Sequence, residues 1–255
     1  MRTLEQIRDI PASAVRAFVL CGGQGTRLRP VLADQPKSMA LISGTPFLQL
    51  LLDRLKCQGV DEVVLGTGYM AEKIEGHFGS GNDLGIRIRY SREHEALGTG
   101  GALKLAESLI SDPVLVLNGD SYVEWSLNPM LELFTAKDAD LVIVLQAVAD
   151  VTRYGSVTLD RDGRITQFVE KGASAGPGLI NAGVYLIRKQ IVRDLPAGTA
   201  ISLEREVFPR FLDRGVYGLV STGLFIDIGI PDDFKQAQVL LASRVSAASQ
   251  RSSVL

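Results

Sequence analysis

Short apolar runs alternate with amphipathic stretches through roughly the first 145 residues, the signature of βαβ units around a parallel sheet. Strands are predicted at Ala17–Cys21, Glu62–Thr67, Ile86–Tyr90, Val114–Asn118 and Leu141–Val148. The unbroken runs VLVLN and LVIVLQAV suit strands buried on both faces. Helices are predicted between them. Thr45 is read as an N-cap with Pro46 at the first helical position, opening FLQLLLDRLKCQG, which closes at Gly59. MAEKIEGHF, GGALKLAESLI and NPMLELFTAKD follow as further helices.

Later in the chain the period changes. YGSVTLDRDGRITQFVEK reads as two strands about an Asp-Gly turn. LINAGVYLI is another strand, and VYGLV and LFIDIG are short ones. SLEREVFPRFLDRG reads as a helix capped by Ser202, and PDDFKQAQVLLASRV as a helix with proline first. No repeat or linker interrupts this order. One domain is expected over residues 15–243, after an extension at 1–14 and before a frayed tail at 244–255.

Composition narrows the chemistry. The 255 residues carry a formal charge of −2, so no global field favours nucleic acid or an anionic membrane, and an anion site must be local. No apolar run approaches a membrane span, and the opening residues lack a secretory core, which makes the cytoplasm the default compartment. The two histidines, His77 and His94, have no triad-like surroundings. Cys21 and Cys57 lack metal-site spacing and are both expected in the core.

The candidate chemistry begins after the first strand, with CGGQGTRLRP. Gly22, Gly23 and Gly25 let backbone N–H groups approach an anion, and Thr26 and Arg27 add a hydroxyl and a fixed cation. The loop matches neither a Walker pattern nor a dinucleotide fingerprint. Lys37 lies ten residues beyond Arg27 on the same long connection. Asp120 ends a buried strand where open α/β sheets bind ligands. Asp227 stands between Ile226 and Ile228 and points away from both. Two aspartates with phosphate oxygens and water make a Mg²⁺ site. Gly98 and Thr99 open a helix with bare backbone. Glu170-Lys171 could serve a phosphosugar or be a surface ion pair. Tyr154, Gly155 and Asn181 are open to turn or core roles.

Taken together, Gly22-Gly23-Gln24-Gly25-Thr26-Arg27-Leu28, Pro36-Lys37, Gly119-Asp120, Glu170-Lys171 and Asp227 resemble the sugar-1-phosphate nucleotidyltransferase family over residues 15–240. FVLCGGQGTRL, ALGTGGALK, VLNGDSY, RYGSVTLD and FIDIGIPDDF are most similar to its heptose-1-phosphate guanylyltransferase branch. Ser38 departs from the pattern, since many members have proline after this lysine. The resemblance implies a Rossmann-like α/β fold: a mixed, mostly parallel central sheet flanked by helices, with a small β-rich sugar-binding part. It implies Mg²⁺ as cofactor, with GTP and a sugar 1-phosphate as partners.

It also implies roles. Cys21, Gly22, Gly23, Gly25 and Thr26 cradle the nucleotide, with Gly98 and Thr99 by its base or ribose. Arg27 and Lys37 are catalytic, and Asp120 and Asp227 hold the metal. Tyr154, Gly155, Glu170, Lys171 and Asn181 line the sugar side. A hexose-1-phosphate enzyme using mannose with GTP, or UTP, CTP or dTTP, stays open, as does a homo-oligomer. Intact Arg27, Lys37, Asp120 and Asp227 favour an active enzyme over an inactive NDP-sugar-binding subunit.

Overall fold

The computed structural model describes residues 10–32, 34–169 and 175–245. Among these residues nine strands form one sheet. Its centre is β1 (Arg16–Leu20), which pairs in parallel with β4 (Glu62–Thr67) on one side and β6 (Val114–Asn118) on the other. Beyond β4 lies β5 (Arg87–Arg92), also parallel. Beyond β6 the direction reverses: β11 (Gly178–Ile187) runs antiparallel to β6 and to β8 (Leu141–Val148). The outermost strand, β12 (Val216–Ser221), is parallel to β8. The first half of β11 also pairs with β9 (Ser156–Leu159), which forms a hairpin with β10 (Ile165–Val169). The mixed, mostly parallel sheet that the family resemblance implied is therefore present. The β9–β10 hairpin is its β-rich appendage.

Apolar side chains cover both faces of the sheet. On one face α2 (Phe47–Cys57), α3 (Ala71–Phe78) and α5 (Leu127–Ala136) pack on Val19, Leu65, Leu117 and Val144. On the other, α4 (Gly98–Leu105) and α6 (Lys189–Arg193) pack on Phe18, Val116, Ile143 and Tyr185. Phe18 and Tyr185 are fully buried, and burying a large apolar side chain contributes about 1.5–3 kcal/mol. Gly66 makes room for Phe18, because a Cβ there would lie 2.6 Å from the ring tip.

Several local expectations change. Thr45 and Pro46 form β3, paired with β2 (Leu41–Ile42), so Pro46 is the N-cap of α2 rather than its first helical residue. The backbone bond from Phe47 to Ala40 closes that hairpin and starts the helix one residue later. The helix expected over SLEREVFPRFLDRG is a π turn at Leu203–Val207 followed by a 3₁₀ turn at Phe208–Phe211. Pro209 has no N–H to continue the ladder, although Ser202 does cap it, accepting from the Arg205 amide. Cys57 is exposed, not in the core, because it falls in the last turn of α2. The frayed tail does not begin at 244. Arg244 pairs with Glu124 and Val245 is buried, while 246–255 lie outside the described residues.

The long connection after β1 holds a short helix, α1 (Arg29–Leu32), a 3₁₀ turn at Lys37–Met39 and the β2–β3 hairpin. A second small ribbon pairs β7 (Ser121–Val123) with β13 (Phe225–Asp227), placing Asp227 opposite Ser121. α7 (Pro231–Leu240) follows at once. Among the described residues no helix is long and apolar enough to cross a membrane.

Candidate active site

The parallel strands β1, β5 and β6 end at the same edge of the sheet, with β4 between β1 and β5. The residues just past their C-terminal ends surround a cavity of about 310 Å³, at the sheet edge where α/β folds hold ligands. Cys21, Gly22, Gly23 and Gln24 form one wall after β1, and Asn118, Gly119 and Asp120 another after β6. Lys37 and Ser38 come from the 3₁₀ turn, and Gly98 and Thr99 from the start of α4. The sequence thus named seven of these wall residues: Cys21, Gly22, Gly23, Lys37, Gly98, Thr99 and Asp120. Gly25, Thr26 and the exposed Arg27 sit farther along the same loop.

The glycines have separate reasons. Gly25 takes φ +56, and a Cβ there would lie 2.9 Å from Lys37 Cβ, so the loop folds back onto the lysine. Gly23 has open space around it. At the start of α4 the reason differs from bare backbone facing a base. A Cβ on Gly98 would lie 2.6 Å from Ile201 O, and one on Gly100 would meet Ile201 Cγ2 at 2.8 Å. These glycines admit the segment before the π turn, which is tied on by Gly100 N–H to Ile201 O and Ile201 N–H to Leu97 O.

Lys37 is the electrostatic centre. Its ammonium donates to Asp120 Oδ2 at 2.7 Å and lies 3.7 Å from Asp227 Oδ1. The Gly229 amide donates to Asp227 at 2.7 Å. Burial, then the neighbouring Asp120, pushes the Asp227 carboxyl above its ordinary range, against the pull of Lys37 and the Gly229 amide. Burial, and then Asp120, likewise pushes the Cys21 thiol far up, so Cys21 is a neutral wall residue. No cluster of three His, Cys, Asp or Glu able to hold a metal occurs among the described residues. Asp120 and Asp227 nevertheless suit Mg²⁺, a hard cation that takes few protein oxygens and completes its shell with phosphate and water.

The described sugar-side candidates, Tyr154, Gly155 and Asn181, are not part of the cavity wall. Tyr154 packs edge-on to Phe225 at 6.0 Å, beneath the Arg153 guanidinium, and Arg153 pairs with Asp233. These contacts pin the turn before β9 to β13 and α7, next to Asp227. Gly155 lies against Val169 O. Asn181 turns inward: its Oδ1 accepts from the Gly183 amide and its Nδ2 donates to Tyr185 OH. Glu170 and Lys171 lie outside the described residues.

Two carboxylates escaped the sequence reading. Glu93 follows β5 directly, lines the cavity and accepts from the Leu97 amide. The rule that selected Asp120, an acid at the C-terminal end of a parallel strand, would have selected it too. Burial pushes its carboxyl up. Glu204, in the π turn, collects hydrogen bonds from Thr99 Oγ1, Tyr185 OH and Ser202 Oγ at 2.7, 3.1 and 2.9 Å. No local pattern marks it.

The nucleotidyl transferase family pattern matches residues 16–244. The chain belongs to that family. A D-glycero-α-D-manno-heptose 1-phosphate guanylyltransferase of Aneurinibacillus thermoaerophilus is 42% identical over 226 residues, covering 88% of this chain and 97% of the relative. A mannose-1-phosphate guanylyltransferase of Mycobacterium tuberculosis is 39% identical over 224 residues. The match covers 86% of this chain and 62% of that relative, so the transferase spans about three fifths of that protein's length. The crystal structure of HddC from Yersinia pseudotuberculosis complexed with GMP-PN superposes with TM-score 0.76 at 39% identity, over 88% of this chain and 98% of that one. HddC shares the Rossmann-like arrangement of the transferase.

Proposed function

We propose that the transferase joins GTP to D-glycero-α-D-manno-heptose 1-phosphate, giving GDP-heptose and pyrophosphate for a bacterial surface glycan. The observation that carries this reading is the cavity where the Gly22–Gly23 backbone, Lys37, Asp120 and Glu93 converge. Guanine presents N1–H and a 2-amino group on one edge, and a carboxylate is the side chain built to accept from both. Glu93 supplies that carboxylate at the cavity wall. The likeness to heptose enzymes over nearly their whole length, and to HddC with GMP-PN, supports the same base and sugar.

The chemistry asks for positioning and charge. A phosphate monoester is largely a dianion at neutral pH, with a second pKa of about 6 by analogy with phosphoserine. Its oxygen attacks the α-phosphorus of GTP in line, the bond to the bridging oxygen breaks, and pyrophosphate leaves. No general base is required. The Gly22–Thr26 backbone and Arg27 hold the leaving phosphates, and Lys37 neutralises charge at the α-phosphate. Asp120 and Asp227 would hold a divalent cation, which supplies further neutralisation of phosphate oxygens when bound. Tyr154, Gly155, Glu170, Lys171 and Asn181 are assigned to the sugar side.

The test is release of pyrophosphate with Mg²⁺, each nucleoside triphosphate and a panel of sugar 1-phosphates. The expected best pair is GTP with the heptose 1-phosphate. A better rate with mannose 1-phosphate would move the assignment to the mannose enzymes, which the 39% identical mycobacterial relative represents. No release with GTP would overturn the guanine reading.

A further inference from the structure

Asp120 and Asp227 come from separate parts of the fold. Asp120 follows β6 of the large sheet, while Asp227 ends β13 of the small ribbon. Lys37 reaches both, with 2.7 Å to one carboxylate and 3.7 Å to the other. Its side chain is 11% exposed, against 42% for Asp120 and 28% for Asp227, so the lysine is the most enclosed side chain of the three. Gly25 packs on its Cβ, and the 3₁₀ turn fixes its backbone. A divalent cation would need the same carboxylate oxygens. An ammonium already hydrogen-bonded to Asp120 competes for the same oxygen and repels the incoming ion.

We propose that Lys37 is a resident counter-ion for Asp120 and Asp227, and that a metal gains this pair only when a nucleotide phosphate draws the ammonium away. The proposal rests on the reading that these two aspartates hold the metal, and adds an order to it. Without nucleotide the lysine keeps the two carboxylates in place and free metal binds weakly. With nucleotide, Lys37 exchanges carboxylate for phosphate, and the vacated Asp120 and Asp227 oxygens would be free to hold a metal together with the phosphates. Nucleotide and metal affinities then rise together, each by the same factor.

The experiment is a Mn²⁺ titration of the full chain, read from the electron paramagnetic resonance of free Mn²⁺, with and without a non-hydrolysable GTP analogue. Lys37→Met is expected to bind Mn²⁺ alone at least about tenfold tighter than wild type, since one adjacent like charge is gone. Adding Asp120→Asn should abolish that gain. Lys37→Gln, which keeps a donor but loses the charge, serves the same purpose if Lys37→Met does not fold. Unchanged Mn²⁺ affinity in these folded variants overturns the proposal, as does micromolar Mn²⁺ binding by wild type without nucleotide. If Asp120→Asn leaves Mn²⁺ affinity of the analogue-bound protein unchanged, the metal assignment itself fails.

Discussion

The carboxylate of Glu93 lies directly against the backbone of Gly22, so that a Cβ at position 22 would overlap Glu93 Oε1. Two residues from different strand ends thus share one corner of the cavity. On the proposed guanine contact, Glu93→Gln puts a donor where the base needs an acceptor. Losing a charge-assisted hydrogen bond worth roughly 1.5–3 kcal/mol should raise KM for GTP about 10–100-fold. Inosine triphosphate, which lacks the 2-amino group, should suffer less. Gly22→Ala should act in the same direction by displacing the carboxylate, and add little in a Glu93→Ala background. Steady-state kinetics of the double-mutant cycle check this.

The glycines around the site should separate into two kinds. A Cβ on Gly101 would meet Leu97 Cβ at 2.8 Å and crowd Thr199 O, so Gly101→Ala should lower stability by about 1–3 kcal/mol. Gly23 has nothing within 4 Å. Gly23→Ala should leave stability within about 0.5 kcal/mol of wild type and weaken GTP binding. Urea denaturation and nucleotide titration, run on both variants, check the pair.

Glu204 is the sole recipient of three hydroxyl protons in a direction set by the donors. Leu203 N–H donates to Thr99 Oγ1, which donates to Glu204, and Asn181 Nδ2 donates to Tyr185 OH, which does the same. Glu204→Ala leaves the buried Tyr185 hydroxyl and two half-buried hydroxyls without their acceptor and should cost about 1–3 kcal/mol. Tyr185→Phe should cost about 1 kcal/mol, since a single hydroxyl is removed. Chemical denaturation measures both.

Asp227 should make the stability of the metal-free protein fall as pH rises. Its folded-state affinity for a proton is raised above that of an ordinary aspartate. Its contribution to stability is therefore fully present below the ordinary aspartate range and is lost as pH rises through the raised value. Asp227→Asn should consequently raise the melting temperature at neutral pH, by an amount that shrinks as pH is lowered, while abolishing turnover. Thermal melts across acid to neutral pH, without metal, give the comparison.

The strand candidates and the strand-end signals were legible because they are local. Five predicted strands occur within two residues of their expected bounds: β1, β4, β6 and β8 are short, largely buried apolar runs, while β5 mixes buried and exposed positions. Asp120 and the glycine loop were found for the same reason: each sits one or two residues beyond such a run. The N-cap at Thr45 and the helix at Leu203–Phe211 were misread where local preference yielded to a hairpin closing on Ala40 and to Pro209.

By itself, then, the sequence determined the strands, the loop of glycines with its cation, and the aspartates at strand ends, because periodicity and turn chemistry act over a few neighbouring residues. Tertiary structure alone decided which of these meet. Lys37 and Asp120 are 83 residues apart, and Thr99 and Glu204 are 105 apart. Such pairings depend on the order of strands in the sheet and on backbones approaching through glycine, neither of which a single stretch of chain encodes. The same holds for Glu93, an ordinary loop acid until β5 is laid beside β4 and its carboxylate comes to rest on Gly22.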